Sequence, residues 1–94
     1  PKVEITVAFA AVLRKHRAAK GMSQEKLAEK ASIHPTHVGL IERSLRNPSL
    51  KVCKALADAL GLPLAQMIAE AEQFAERSSS RRALLAIFAM DKRE

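Results

Sequence analysis

Apolar residues recur at three- and four-residue steps along most of this 94-residue chain, the spacing of helices with one buried face. Alternation at a period of two is confined to Val3-Glu4-Ile5-Thr6-Val7, which reads better as the lead into a first helix. That helix is predicted from about Thr6 to Lys20, with Val7, Ala10, Ala11, Leu13 and Arg17 near one side and Gly21 as its left-handed stop. Ser23 is the natural N-cap of a second helix over Gln24 to Ala31, whose Leu27, Ala28 and Ala31 share a face. Its third residue on is Lys26, so a reciprocal capping box is absent. After the short Ala31-Ser32-Ile33-His34 turn, Pro35 opens a third helix with Val38, Ile41 and Leu45 as its buried set. Asn47-Pro48-Ser49 is a turn, Ser49 caps a fourth helix from Leu50 to Leu60, and Gly61 closes it. Pro63 opens a fifth that continues to about Arg77. Ser78-Ser79-Ser80 reads as a linker before a short apolar-faced sixth helix, Arg81 to Met90. The expectation is an all-α, five-helix domain over 6–77, with 78–94 as a linker and short helix serving dimerisation or a partner.

Two short helices either side of a tight turn, the second opening at a proline and followed by arginines, have the shape of a helix-turn-helix. In that motif the second helix lies in the DNA major groove. Composition narrows the alternatives. Lys and Arg number 16 against 10 Asp and Glu, giving a net charge of +6, consistent with a polyanionic partner. With no Trp or Tyr, the chain lacks the exposed aromatics on which single-strand and RNA binders stack bases. One cysteine, Cys53, excludes an internal disulfide and fits a reducing cytoplasm, where a DNA-binding protein would be nucleoid-associated. There is no apolar run of about twenty residues to span a membrane. No nucleophile-plus-base pair, clustered acidic pair or Gly-rich phosphate loop suggests an enzyme. His16, His34 and His37 lack carboxylate or thiolate partners at ligand spacing, so neither a metal nor any other cofactor is expected.

From Leu13 to Ile68 the chain resembles the Cro/C1-type, or XRE, family of helix-turn-helix regulators, which includes phage repressors and restriction–modification controller proteins. The resemblance rests on Leu13, Arg17, Gly21-Met22-Ser23-Gln24, Leu27-Ala28, Ile33, Val38, Ile41-Glu42-Arg43, Arg46-Asn47-Pro48-Ser49-Leu50 and Leu56-Ala57-Ala59-Leu60-Gly61. It implies a five-helix bundle whose second and third helices form the DNA-reading unit. It further implies a partly buried ion pair between Arg17 and Glu42. Three positions depart from the pattern: Ser32 where Gly is usual, His34 at the third helix's N-cap where Ser or Thr is usual, and Cys53 in place of a larger aliphatic.

If the third helix buries Val38, Ile41 and Leu45, the face left over holds Pro35, Thr36, His37, Gly39, Leu40 and Arg43. Thr36 is the best candidate base reader, because its hydroxyl can donate or accept and its methyl can meet a thymine methyl. Leu40 offers apolar contact alone, and His37 can reach a phosphate or a base edge. Gly39 costs about 1 kcal/mol in a helix interior, which suggests close approach to DNA or to Ala28. Gln24, at the start of the second helix, combines free backbone amides with a side-chain amide for a phosphate, the role the resemblance assigns it. Arg43 and Arg46 lie at and beyond the end of the third helix, suited to phosphates, with Asn47 beside them. Cys53 shares a face with Leu56 and Leu60 and reads as a buried small hydrophobe.

Leu64, Met67, Ile68 and Phe74 on the fifth helix, with Leu84, Leu85 and Phe88 beyond it, form a candidate dimer interface. The partners expected are double-stranded DNA and a second copy of the chain. The rival reading is an antitoxin or helical interaction module whose C-terminal segment binds another protein.

Overall fold

The computed structural model describes residues 4–77. They form five α-helices: α1 (Ile5–Ala19), α2 (Gln24–Ala31), α3 (Pro35–Glu42), α4 (Leu50–Leu60) and α5 (Leu64–Arg77). No strand occurs among the described residues. No single helix among them is long and apolar enough to cross a membrane. The sixth helix expected over 81–90, with Leu84, Leu85 and Phe88, lies outside the described residues.

Local chemistry sets the helix ends. The Ser23 hydroxyl accepts from the Lys26 amide, and the Ser49 hydroxyl accepts from the Val52 amide. Each satisfies one of the orphan donors of a first turn. At the other ends, α1 to α4 all stop in the same way. The left-handed residue donates to a carbonyl three back, and the next residue donates five back, as in Gly21 to Ala18 with Met22 to Arg17. Glycine fills that position after α1 and α4, but Ser32 (φ 59°) and Ser44 (φ 60°) fill it after α2 and α3. A side chain in this conformation costs on the order of 1 kcal/mol. Ser32→Gly and Ser44→Gly are therefore each expected to raise stability by about 1 kcal/mol, measurable as a higher urea midpoint at unchanged slope.

The core is aliphatic, with Leu13, Leu27, Val38, Ile41, Leu56, Leu60 and Met67 fully buried, and Phe9 and Val12 nearly so. Each large side chain contributes about 1.5–3 kcal/mol by leaving water. α2 packs on both α3 and α4, and α1 closes over α3 and α4. A bend of 104° separates α4 from α5, so α5 returns to the bundle and inserts Met67 and Ala71.

Three expectations from the hydrophobic pattern need correction. Val7 is 42% exposed, and the residues α1 buries are Ala8, Phe9, Ala10, Val12 and Leu13, of which Ala10 and Leu13 fit the expected face. The first half of α1 is apolar almost all round, so periodicity alone does not select a face. Leu45 is 67% exposed because α3 ends at Glu42 and Ser44 turns the chain away before the next helical step. Met67 has no exposed surface, so it belongs to the chain's own core and is unavailable to a dimer interface, whereas Leu64 and Ile68 are half-buried and Phe74 is exposed.

A polar clasp also ties α1 to α5. Glu70 Oε1 accepts from Lys15 Nζ at 2.7 Å and lies 2.8 Å from His16 Nε2, while Glu70 Oε2 accepts from Gln66. The hydrogen bond from Lys15, followed by those from Gln66 and His16, holds the carboxyl well below its ordinary value of 4.5, at about 2. A carboxylate so depressed stabilises the fold above pH 4.5 and loses that contribution as pH falls toward about 2. Lys15 is 60% exposed, so solvent screening keeps the effect below about 1 kcal/mol. In Glu70→Gln, this part of the acid-induced loss between pH 4.5 and 2 is expected to vanish, as read by denaturation at several pH values.

Candidate nucleic-acid interface

α3 is a short helix with two unlike sides. Val38, Gly39, Ile41 and Glu42 face inward, whereas Pro35, Thr36 and Arg43 are exposed and His37 and Leu40 are half-buried. Beyond its end, Arg46 and Asn47 are both exposed. The outward edge thus presents a hydroxyl, an imidazole, an aliphatic group and, at its end, cationic guanidinium groups. Such a set suits base edges and phosphates together. Pro35 fixes the first helical position, where a missing amide proton costs nothing. His34 precedes it in extended conformation, and its Nδ1 accepts from the Thr36 amide at 3.1 Å. The imidazole therefore serves as the N-cap that Ser or Thr usually supplies.

The inward side of α3 is anchored through Glu42, which is 1% exposed. Arg17 grips its carboxylate with two parallel bonds, Nε to Oε2 at 2.6 Å and Nη2 to Oε1 at 3.0 Å. The third guanidinium nitrogen of Arg17 donates to the Met22 carbonyl at 2.8 Å. The hydrogen bonding to the Glu42 carboxylate pushes the Arg17 pKa up, outweighing partial burial. Arg14, one turn earlier on α1, donates to the Glu42 backbone carbonyl. One end of α3 is thereby tied to α1 by side chain and by main chain. No buried side-chain nitrogen or oxygen among the described residues lacks a partner.

Gln24 and Gly39 fall elsewhere than the sequence pattern suggests. Gly39 is buried, and a methyl group added there would lie 3.4 Å from Gln24 Oε1, so its close neighbour is Gln24 and not Ala28. The Gln24 amide nitrogen donates to Glu42 Oε1 at 2.9 Å. The side chain expected to meet a phosphate is thus bonded to Glu42, while Ser23 and Glu25 on either side of it are exposed. Arg43 donates from Nε to the Gly39 carbonyl at 3.3 Å, which leaves its two terminal nitrogens for other partners.

Sequence reasoning missed Arg14, Ser44 and the Glu70 clasp. Ser44 had a local signal, since the residue two after a helix's last full turn is the usual left-handed stop. Arg14 and the α1 side of the Glu70 clasp had none, because Arg14 lies 28 residues from Glu42, and Lys15 and His16 lie 55 and 54 residues from Glu70. Cys53 is buried, and burial pushes its thiol pKa up, which disfavours the reactive thiolate. No group of three or more His, Cys, Asp or Glu at metal-binding separation occurs among the described residues.

The arrangement has close relatives. Residues 13–67 match the helix-turn-helix family. The chain is 33% identical to the control protein C.SmaI of Serratia marcescens over 66 residues, which is 70% of this chain and 79% of that protein. It is 41% identical to the control protein C.BamHI of Bacillus amyloliquefaciens over 59 residues, 62% of this chain and 73% of the relative. Among solved structures, the clp gene regulator ClgR of Corynebacterium glutamicum superimposes with a TM-score of 0.91 at 25% identity, covering 97% of each chain. The matched span contains α2 and α3 whole, with the Arg17–Glu42 anchor and the exposed edge of α3 inside it. The family is one of regulators and not of enzymes, and the chain belongs to it: an XRE-type helix-turn-helix DNA-binding regulator.

Proposed function

We propose that two copies of this chain bind a near-palindromic operator, each laying the exposed edge of α3 along the major groove of one half-site. The observation that carries this reading is the two-sidedness of α3. Val38, Ile41 and Glu42 anchor it, while Thr36, His37, Leu40 and Arg43 face outward beside Arg46 and Asn47. Thr36 and Leu40 read bases, Thr36 by its hydroxyl and both by apolar contact with thymine methyls. Pro35 and His37 line the same edge. Arg43, Arg46 and Asn47 hold the phosphate backbone, as do the backbone amides at the start of α2 around Gln24.

The half-buried Leu64 and Ile68 and the exposed Phe74 support α5 as the surface where the copies meet. Leu84, Leu85 and Phe88, outside the described residues, belong to the same proposal. Two-fold symmetry makes such an interface self-complementary and dictates inverted half-sites. Occupying a promoter in this way blocks polymerase, or recruits it from an upstream site. Similarity to the control proteins C.SmaI and C.BamHI supports a regulator of that kind.

Selection of bound duplexes from a random pool, with the mass of the resulting complex, tests the reading. The expected product is an inverted repeat with half-site centres about 10 base pairs apart or a multiple of that, carrying two chains. A direct or single site holding one chain would contradict it.

A further inference from the structure

We propose that Gln24 is a positioning residue for the recognition helix, its side chain fixing how α3 is seated on the start of α2. The inference rests on the reading of α3 as the base-reading element and assigns Gln24 a part in specificity beyond a phosphate contact.

Three observations converge on this side chain. Its amide nitrogen donates to Glu42 Oε1 at 2.9 Å, the same oxygen that receives Arg17 Nη2 at 3.0 Å. Its amide oxygen lies over Gly39, at 3.4 Å from where a methyl group would stand. Gly39 itself is buried in the middle of α3, where glycine weakens a helix by about 1 kcal/mol relative to alanine. The side chain therefore crosses from α2 to α3, touching α3 at residues 39 and 42, one helical step apart.

The geometry gives this crossing a consequence for readout. Gln24 is the first residue of α2, directly after the Ser23 cap, so its backbone belongs to the end that offers amides to a phosphate. Its side chain ends on the inner side of the helix whose other side carries Thr36 and Leu40. One residue thus links the phosphate-facing end of α2 to the base-reading edge of α3. A side chain larger than a methyl at 39 would displace the amide, and loss of the amide would leave Glu42 held from α1 alone. In either case α3 keeps its fold but loses one of its two lateral references. A small tilt of a rigid recognition helix moves its tip relative to the bases while leaving flexible arginines able to reach phosphates. The expected phenotype is lost discrimination more than lost affinity.

The test uses the full chain and the duplex selected from a random pool. Binding is measured to that duplex, to single-base variants of it and to a scrambled duplex. Gln24→Ala is expected to reduce discrimination between the selected and single-base-variant duplexes about tenfold, with scrambled binding changed less than about twofold. Combined with Thr36→Ala, it is expected to be strongly non-additive, since both act on the same base contact. Equal losses on all duplexes with additive behaviour would mean a plain phosphate contact and overturn the proposal, as would unchanged discrimination. Nuclear magnetic resonance of the unaltered, DNA-free chain gives a readout that survives misfolding of the variant. The Gln24 side-chain amide protons should exchange with water much more slowly than those of the exposed Gln73, and exchange equally fast would overturn the clamp. A chain that fails to distinguish duplexes at all, yet shows a protected Gln24 amide, would locate the failure in the DNA reading and not in the clamp.

Discussion

Arg17→Ala is expected to destabilise the fold by about 3–5 kcal/mol, the largest effect of any surface-reaching side chain described above. Glu42 is 1% exposed and relies on Arg17 for two of the three bonds that its carboxylate accepts. Without the guanidinium, the buried carboxyl group would keep the Gln24 amide as its one side-chain partner. A domain of this size has a total stability of about 5–15 kcal/mol, so the variant should approach its unfolding threshold near 37 °C. Removing both partners is a different matter. Arg17→Met combined with Glu42→Leu replaces the pair with apolar groups of similar volume, and such exchanges are often neutral or favourable. The double variant is expected to recover most of the stability, although the Gln24 amide and the Met22 carbonyl lose their partners. Urea denaturation of the two single variants and the double variant measures this directly. Additive losses in the double variant would mean that the two side chains are not coupled, and would contradict the stranded-charge explanation.

The second large effect concerns DNA and separates two kinds of contact. Thr36→Ala is expected to relax preference at one base pair per half-site by about 1–3 kcal/mol, with scrambled duplex bound nearly as before. Arg43→Ala is expected to weaken every duplex alike and to flatten the salt dependence. With Arg43 and Arg46 of each of two chains on phosphates, the logarithmic salt slope is about −4. Raising salt from about 50 to 200 mM then lowers affinity by about two orders of magnitude. Loss of Arg43 from both chains should remove about half of that slope. Fluorescence anisotropy over a salt series, with selected and scrambled duplexes, supplies both quantities. If Thr36→Ala and Arg43→Ala gave the same loss on both duplexes, α3 would not be divided into a base-reading edge and a backbone-gripping end.

Much of this architecture is written locally in the chain. Ser23, Pro35 and Ser49 mark three helix starts and Gly21 and Gly61 two helix stops, because capping is decided within four residues and leaves a short motif. The expected boundaries of α2 and α4 match the structure to the residue. The face of α3 toward solvent was legible in part. Val38 and Ile41 sit inward as their spacing implies, but Leu45 escapes the helical count because Ser44 reverses the backbone first. Val7 and Met67 show a second limit. Periodicity tells how many apolar residues a helix has more reliably than which neighbour covers them, and α1 and α5 carry more than one candidate stripe. The contacts that hold the candidate site together were the least legible. Gln24 reaching Gly39 and Glu42, and Arg14 reaching the Glu42 carbonyl, depend on how three helices cross. No pair of sequence positions announces such a crossing.

The claim on which the account turns is that the outward edge of α3 touches base edges in the major groove. Base analogues probe that edge with the protein unchanged. Replacing each thymine of the selected duplex by uracil removes the major-groove methyl, and replacing each purine by its 7-deaza form removes the N7 acceptor. Sharp losses of affinity are expected at one or two matching positions in each half-site, with a given loss disappearing when Thr36 or Leu40 is replaced by alanine. Affinity indifferent to every analogue, or losses that persist unchanged in both variants, would contradict that claim.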